Sequence, residues 1–179
     1  MSLKLVEKQV LYDGVKVRLE LHHLEPEEGG PRHRREVCVH PGAVVILPLL
    51  DDERVILIRV RRYAVGQSLL ELPAGTLEKG ELPINCAGRE LLEETGYIAN
   101  KLTPLGSFFT SPGILSERMY GFVATGLEFQ GQELEEGEEI ELVPTPMDDV
   151  LDMIRSGAIE DGKTIAALLM YEQFHRRRA

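Results

Sequence analysis

Cysteine is scarce in this chain of 179 residues: it has two, Cys38 and Cys86, without the close spacing of a zinc or redox motif. Their number permits a single disulfide, but Cys86 falls in a stretch of helical character, and two free thiols in a reducing compartment are the simpler expectation. Long apolar runs are missing too. The longest, Ala43–Leu50, is far too short to cross a bilayer, and no signal-peptide pattern opens the chain, so the sequence predicts a cytoplasmic protein with no membrane partner. The third scarcity is positive charge, with 20 lysines and arginines against 30 aspartates and glutamates and a net charge of -10. Neutralising a nucleic-acid backbone needs clustered cations, so nucleic acid is not an expected partner. With no internal repeat and no low-complexity linker, the length suits one medium domain with at most a small appendage.

Much of the negative charge is local. Glu133, Glu135, Glu136, Glu138, Glu139 and Glu141 crowd one segment, which as a charge run reads as a solvated hairpin tip. A second acidic stretch is organised differently. Between Pro83 and Tyr97 only Gly88 is a poor helix former and Gly96 supplies a stop, so Glu90, Glu93 and Glu94 stand at i, i+3 and i+4 on one helix face. Carboxylates crowded on one face repel each other, whereas hard oxygen ligands converging from one face suit a magnesium or manganese ion. Arg89 lies one residue off that face. Glu81, ahead of the helix, is placed to reach back to Arg89 and hold the loop Gly75–Gly80 against the helix as an ion pair. An amphipathic helix with a solvated acidic stripe is the plainer alternative, but it gives no reason for the glycines, the arginine and their spacing together.

The rest of the chain reads as strands, then helices. Asp13-Gly14 predicts a hairpin turn, and after it Val15, Val17, Leu19 and Leu21 alternate with Lys16, Arg18 and Glu20 as in a half-buried strand. A polar loop, Glu25–Pro31, and a return strand near Arg35–His40 complete an antiparallel piece too small to bury its apolar face alone. His22, His23, His33 and His40, spread over it, have no acidic or cysteine partner at ligand spacing and read as surface or strand-edge residues. Beyond Pro41-Gly42 the continuous apolar run Ala43–Leu50 predicts a strand covered on both faces, Asp51-Asp52 a turn, and Arg54–Arg61 a second strand. Leu102–Phe109 and Met119–Thr125 are two more, joined by Thr110–Glu117, and Ile140, Leu142 and Val143 resume a strand. Thr145-Pro146, with Asp148 and Asp149 in its first turn, predicts a helix that Gly157 ends; Asp161 caps a last helix with the apolar stripe Ile165, Leu168, Leu169 and Phe174.

The pattern Gly75, five residues, Glu81, seven residues, Arg89-Glu90-Leu91, one residue, Glu93-Glu94, one residue, Gly96-Tyr97 closely resembles the Nudix box, with Tyr97 in place of the usual aliphatic residue. The resemblance implies a Nudix hydrolase of the α/β class: an α/β/α sandwich with a mixed sheet over residues 41–179, preceded by a small antiparallel β domain over residues 1–40. Upstream, Arg59-Val60-Arg61-Arg62-Tyr63-Ala64-Val65-Gly66 followed by Leu70-Glu71-Leu72-Pro73-Ala74-Gly75 is similar to the ADP-ribose pyrophosphatase branch. That branch implies magnesium, or manganese, held by Glu90, Glu93, Glu94, the Ala74 carbonyl and Glu138, with Gly75, Glu81, Arg89 and Gly96 as the structural frame of the box. It makes Glu93, Glu94 and the general base Glu136 catalytic, with Glu135 and Glu139 as alternatives in the acidic loop. Arg62 matches the phosphate-contacting arginine, with Arg59 and Arg61 as rivals, and Glu71, Pro112 and Glu117 join it in the substrate-binding set; a plain Pro-Gly turn is the alternative for the latter two. The implied reaction is hydrolysis of ADP-ribose to AMP and ribose 5-phosphate in a homodimer joined through its amino-terminal strands. GDP-mannose or another nucleotide sugar is the alternative substrate. A nucleotide-binding module without catalysis is less favoured, because such modules tend to lose box glutamates and this chain has them all.

Overall fold

The computed structural model describes residues 2–15, 17–51, 53–134, 137 and 139–176, which form two compact units. The first comprises the amino-terminal segment through Gly42 together with Phe109–Arg118, and the second the remainder. No helix among the described residues is long and apolar enough to cross a membrane.

In the first unit, β1 (Leu3–Asp13), β2 (Arg18–Pro26) and β3 (His33–Val39) form an antiparallel sheet in that order. Gly14 closes the β1–β2 turn, its N–H donating to the Val17 carbonyl at 2.9 Å. The strand expected from Val15 begins instead at Arg18 and runs through Pro26, past the start of the expected polar loop, because Val15 is 99% exposed within the turn. On β2, Glu20 is buried between Lys8, Arg18 and His22. The segment between Phe109 and Arg118 bonds to the end of β3: Cys38 N–H donates to the Ile114 carbonyl at 2.8 Å and Ser116 N–H to the Cys38 carbonyl at 3.0 Å.

The second unit is an α/β/α sandwich. Its mixed sheet has the order β7-β4-β9-β8, from β4 (Ala43–Pro48), β7 (Ala74–Thr76), β8 (Tyr97–Phe109) and β9 (Arg118–Phe129). Here β4 runs parallel to β9, Ala43 opposite Met119, and antiparallel to β7. An antiparallel sheet, β10-β5-β6, is built from β5 (Arg54–Arg62), β6 (Gln67–Glu71) and β10 (Ile140–Pro146). The continuous apolar run of β4 is explained by its two buried faces. Val44 and Ile46 pack with Leu77, Phe122 and Cys86, Ala87 and Leu91 of α1 (Pro83–Thr95). Val45 and Leu47 pack with Val55, Leu57, Leu72, Val150 of α2 (Val150–Ser156) and Ala167 and Leu168 of α3 (Gly162–Phe174). Each such wholly buried aliphatic side chain contributes about 1.5–3 kcal/mol.

Helix α2 starts later than its sequence suggests. Thr145 and Pro146 finish β10, opposite Val55 and Arg54, and the helix opens at Val150 behind Asp149. Because β10 lies at a sheet edge, Pro144 and Pro146 forfeit no bond that the strand requires.

Candidate active site

Pro83 begins α1 and Gly96 ends it with φ of 73° and its N–H on the Leu92 carbonyl. That glycine is also required by space, since a Cβ there would lie 2.7 Å from Gln132 N and from Gly131 C. The chain after β9 docks on the helix end: Gln130 N–H donates to the Gly96 carbonyl at 2.7 Å, Glu133 N–H to the Glu93 carbonyl at 3.1 Å, and the Gln132 amide to the Glu94 carbonyl at 2.7 Å. The start of the acidic loop is thus tied to the acidic helix, and Ile140 at its far end pairs with Val60 of β5. Glu135, Glu136 and Glu138 lie outside the described residues.

The face of α1 carries Glu90, Glu93 and Glu94 as its spacing requires. Arg89 gathers the first two: Nη1 lies 2.8 Å from Glu90 Oε1 and 2.8 Å from Glu93 Oε2. The same guanidinium donates through Nε to Glu81 Oε1 at 3.2 Å, and Glu81 Oε2 accepts from Glu78 N–H at 2.9 Å, so the box loop is clamped to the helix. Cys86 sits beneath this clamp as a free thiol, pushed up to about 12 by burial and by the charges of Glu81 and Glu90. Glu94 is buried and accepts from Ala74 N–H at 2.9 Å. Gly75 lets Glu90 approach the backbone: a Cβ on it would fall 1.8 Å from the Glu90 carboxyl carbon.

Among the described residues no group of three acidic, histidine or cysteine side chains converges on one point. Arg89 and Ala74 N–H each hold part of the set. The chemistry of the set still fits a hard divalent cation: it consists of carboxylates, it shares one helix face, and the backbone beside it is cleared of side chain at Gly75.

Arg62, at the end of β5, forks onto Glu71 of β6, Nε to Oε1 at 2.8 Å and Nη2 to Oε2 at 2.7 Å. Glu71 is buried and also bonded by Lys163 of α3. Burial pushes its carboxyl up, but the two cations outweigh that and hold it below the usual carboxylate range. Glu71, expected in the substrate-binding set, therefore has both oxygens engaged within the protein. The Arg62 guanidinium feels the charge of Glu94 as well as those of Glu71 and Asp161, which puts it within electrostatic range of the acidic helix. Of its rivals, Arg59 pairs with Glu141 at 3.1 Å, and both Arg59 and Arg61 line a groove of about 440 Å³ with Ser68 and Leu134.

Each residue from Glu71 to Gly75 is held by a different neighbour. Leu72 N–H donates to Thr164 Oγ1 at 2.8 Å, the Pro73 carbonyl accepts from Ile46 N–H at 2.9 Å, and Ala74 and Gly75 meet Glu94 and Glu90. The sequence assigns Lys163 and Thr164 no part in this; the Asp161-Gly162-Lys163-Thr164 start of α3 is the available signal. Pro112 and Glu117 belong to the first unit. There Pro112 is exposed and Glu117 accepts from Thr110 Oγ1 at 2.6 Å, with His40 Nδ1 at 3.4 Å.

A sandwich that presents a clamped glycine loop beside a three-carboxylate helix has the layout of a hydrolase. The family model of the NUDIX domain matches residues 39–168, and the chain belongs to the Nudix family as a Nudix hydrolase. It is 36% identical over 167 residues to the ADP-ribose pyrophosphatase of Bacillus subtilis (strain 168), covering 92% of this chain and 90% of that one. A GDP-mannose pyrophosphatase of Escherichia coli O1:K1 / APEC is 35% identical over 155 residues, 80% of each. Among solved structures, that of an ADP compounds hydrolase superposes with a TM-score of 0.88 at 26% identity, over 100% of this chain and 97% of the other. Nudix hydrolases generally use divalent metal ions.

Proposed function

We propose that this hydrolase cleaves the diphosphate of ADP-ribose, giving AMP and ribose 5-phosphate, with magnesium or manganese as its cofactor. One observation carries the reading: Arg62 is gripped along one edge by Glu71, and three residues further on Ala74 N–H is held by Glu94 of the carboxylate face of α1. Such a guanidinium keeps N–H groups for a phosphate oxygen. Glu90, Glu93, Glu94, the Ala74 carbonyl and Glu138 are the residues that would hold the metal. When bound, it neutralises the diphosphate and lowers the pKa of water.

The remaining work falls to the chain. Glu136, as general base, takes a proton from the attacking water; a new P–O bond forms at one phosphorus as the bridging P–O bond breaks, and the second phosphate leaves with the bridging oxygen. Arg62 offsets charge on the phosphates while this happens. Arg89 and Glu81 keep the box loop seated, and Gly75 keeps Glu90 close to it. Pro112 and Glu117 are assigned to the terminal ribose.

The similarity to a GDP-mannose pyrophosphatase supports a second substrate reading, because the box addresses metal and diphosphate and none of its residues is assigned to the base. Product analysis on ADP-ribose, GDP-mannose and other nucleotide sugars, with magnesium and with excess chelator, decides between them. Hydrolysis undiminished by chelator would refute the metal assignment, and no hydrolysis of any nucleotide sugar would refute the activity.

The homodimer belongs to the same proposal. All eleven residues of β1 are exposed, among them Leu3, Leu5, Val6, Val10 and Leu11, an apolar row that a second copy of the strand would cover.

A further inference from the structure

Glu71 is 1% exposed and engages two cations, although one would neutralise it. Arg62 already makes a two-pronged contact with it. Lys163 is brought to the same carboxylate from the first turn of α3, with its side chain only 14% exposed, and stands 2.9 Å from Asp161 Oδ2. Removing an ammonium from water costs several kcal/mol, so this placement requires a return. Asp161 is fixed beside the pair as a second carboxylate, since it caps α3 and accepts from both the N–H and the hydroxyl of Thr164, at 2.9 and 2.6 Å, neutral donors that leave its charge to be balanced.

We propose that Lys163 is a positioning residue of the diphosphate site: it completes a neutral quartet with Arg62, Glu71 and Asp161, so that the outward edge of Arg62 meets an anionic substrate without an uncompensated carboxylate behind it. The proposal rests on the hydrolase reading of the same site. The quartet contains two positive and two negative groups, and loss of Lys163 leaves it net negative. Arg62 has five N–H donors and uses Nε and Nη2 on Glu71, so the grip fixes where its remaining donors point. The same helix turn steadies the chain that follows: Thr164 holds Leu72 N–H, and two residues on, Ala74 N–H meets Glu94 of the acidic helix. One turn of α3 thereby supports both the phosphate-facing arginine and the approach to the carboxylate face.

The test uses Lys163→Met, Lys163→Gln and Lys163→Arg in the full chain with magnesium present. Affinity for α,β-methylene-ADP, whose bridging carbon blocks cleavage, is measured by calorimetry alongside kcat and KM for ADP-ribose and the melting temperature. Removing one charge near an anion in a half-exposed site should weaken analogue binding about tenfold in the Met and Gln variants and raise KM by a similar factor. Their kcat should change far less, and Lys163→Arg should stay within about threefold of wild type on every measure. Should Lys163→Met fail to fold, Lys163→Gln, which retains a donor but no charge, gives the same comparison. Unchanged analogue affinity and KM with only a lower melting temperature would overturn the proposal, as would a loss confined to kcat. A wild-type protein that cleaves no nucleotide sugar yet binds the analogue in a Lys163-dependent way refutes the hydrolase reading and leaves the positioning role standing. A wild type that cleaves ADP-ribose with no dependence on Lys163 does the reverse.

Discussion

Substituting Gly75 by alanine separates the folding of this site from its chemistry. The backbone at Gly75 is not in the left-handed region, so alanine meets no conformational obstacle there; the obstacle is Glu90, whose carboxyl carbon would lie 1.8 Å from the new Cβ and whose Oε1 would lie 1.9 Å away. Carbon atoms pack at about 3.5–4.0 Å, so the carboxylate must retreat by roughly 2 Å. It is the far end of a flexible side chain, but the pair it would strain with Arg89 is largely buried, so a charged hydrogen bond of about 1.5–3 kcal/mol is at stake. Against that loss, replacing glycine stiffens the unfolded chain and stabilises by about 0.4–1 kcal/mol. The net loss is about 0.5–2.6 kcal/mol, and the melting temperature of Gly75→Ala should fall by about 1–10 degrees. Activity should not survive so well: a misplacement of about 1 Å at a reacting centre costs on the order of a hundredfold, and Glu90 is displaced further than that. The assay is the rate of AMP release from ADP-ribose across a magnesium titration, beside a thermal melt. A variant with wild-type rate at low magnesium would show that Glu90 does not serve the metal, and a variant that does not fold would show that the side-chain retreat is not available.

Glu93→Gln and Glu94→Gln should each lower the rate by on the order of a hundredfold, since even outer partners of a metal site cost about 10–100-fold when changed; losses under about threefold at both would mean that the face is merely solvated. In the acidic loop, Glu136→Gln should cost about a hundredfold to ten-thousandfold with metal dependence intact, whereas Glu138→Gln should shift the magnesium requirement; a collapse at Glu135 or Glu139 instead would move the base along the loop. Truncation before Pro41 should abolish the dimer and impair activity, as read by light scattering and turnover, and a soluble, monomeric, fully active product would refute the amino-terminal dimer. Glu71 is held below the ordinary carboxylate range, so its contribution to stability is complete above the unfolded glutamate value of about 4.3 and is lost as pH falls through its lower folded value. Glu71→Gln should therefore melt below wild type at neutral pH with the gap closing in acid, and a gap independent of pH would contradict this.

The acidic helix was legible in the sequence because i, i+3 and i+4 spacing and a left-handed glycine stop are local properties. Strand β4 was legible for a similar reason, its two buried faces leaving an unbroken apolar run. Strand β1 was not, because register shifts between Leu5 and Glu7 and between Val10 and Tyr12 break the alternation by which a strand is recognised. The three-residue β7 is too short to carry a period, and β10 hides its length behind prolines that a sheet edge tolerates. At the site, Arg89 and Glu81 are eight residues apart and their pairing was readable, but Lys163 meets Glu71 across 92 positions. Only the packing of α3 brings those charges together, and no local pattern encodes it.

The hydrogen bonds between the end of β3 and the segment before Arg118 bear on how the protein is made. His40 N–H donates to the hydroxyl of Ser116, 76 positions further along the chain. At ribosomal rates of about 5–20 residues per second, the first three strands leave the tunnel roughly 4–15 s before that partner does. Throughout this interval the carboxyl-terminal end of β3 offers unmet peptide groups to any passing strand, including its twin on a neighbouring ribosome of the same message. The amino-terminal sheet is thus not a module that can be cut at Gly42 and transplanted intact, because its final stitches are sewn by a stretch encoded in the middle of the gene.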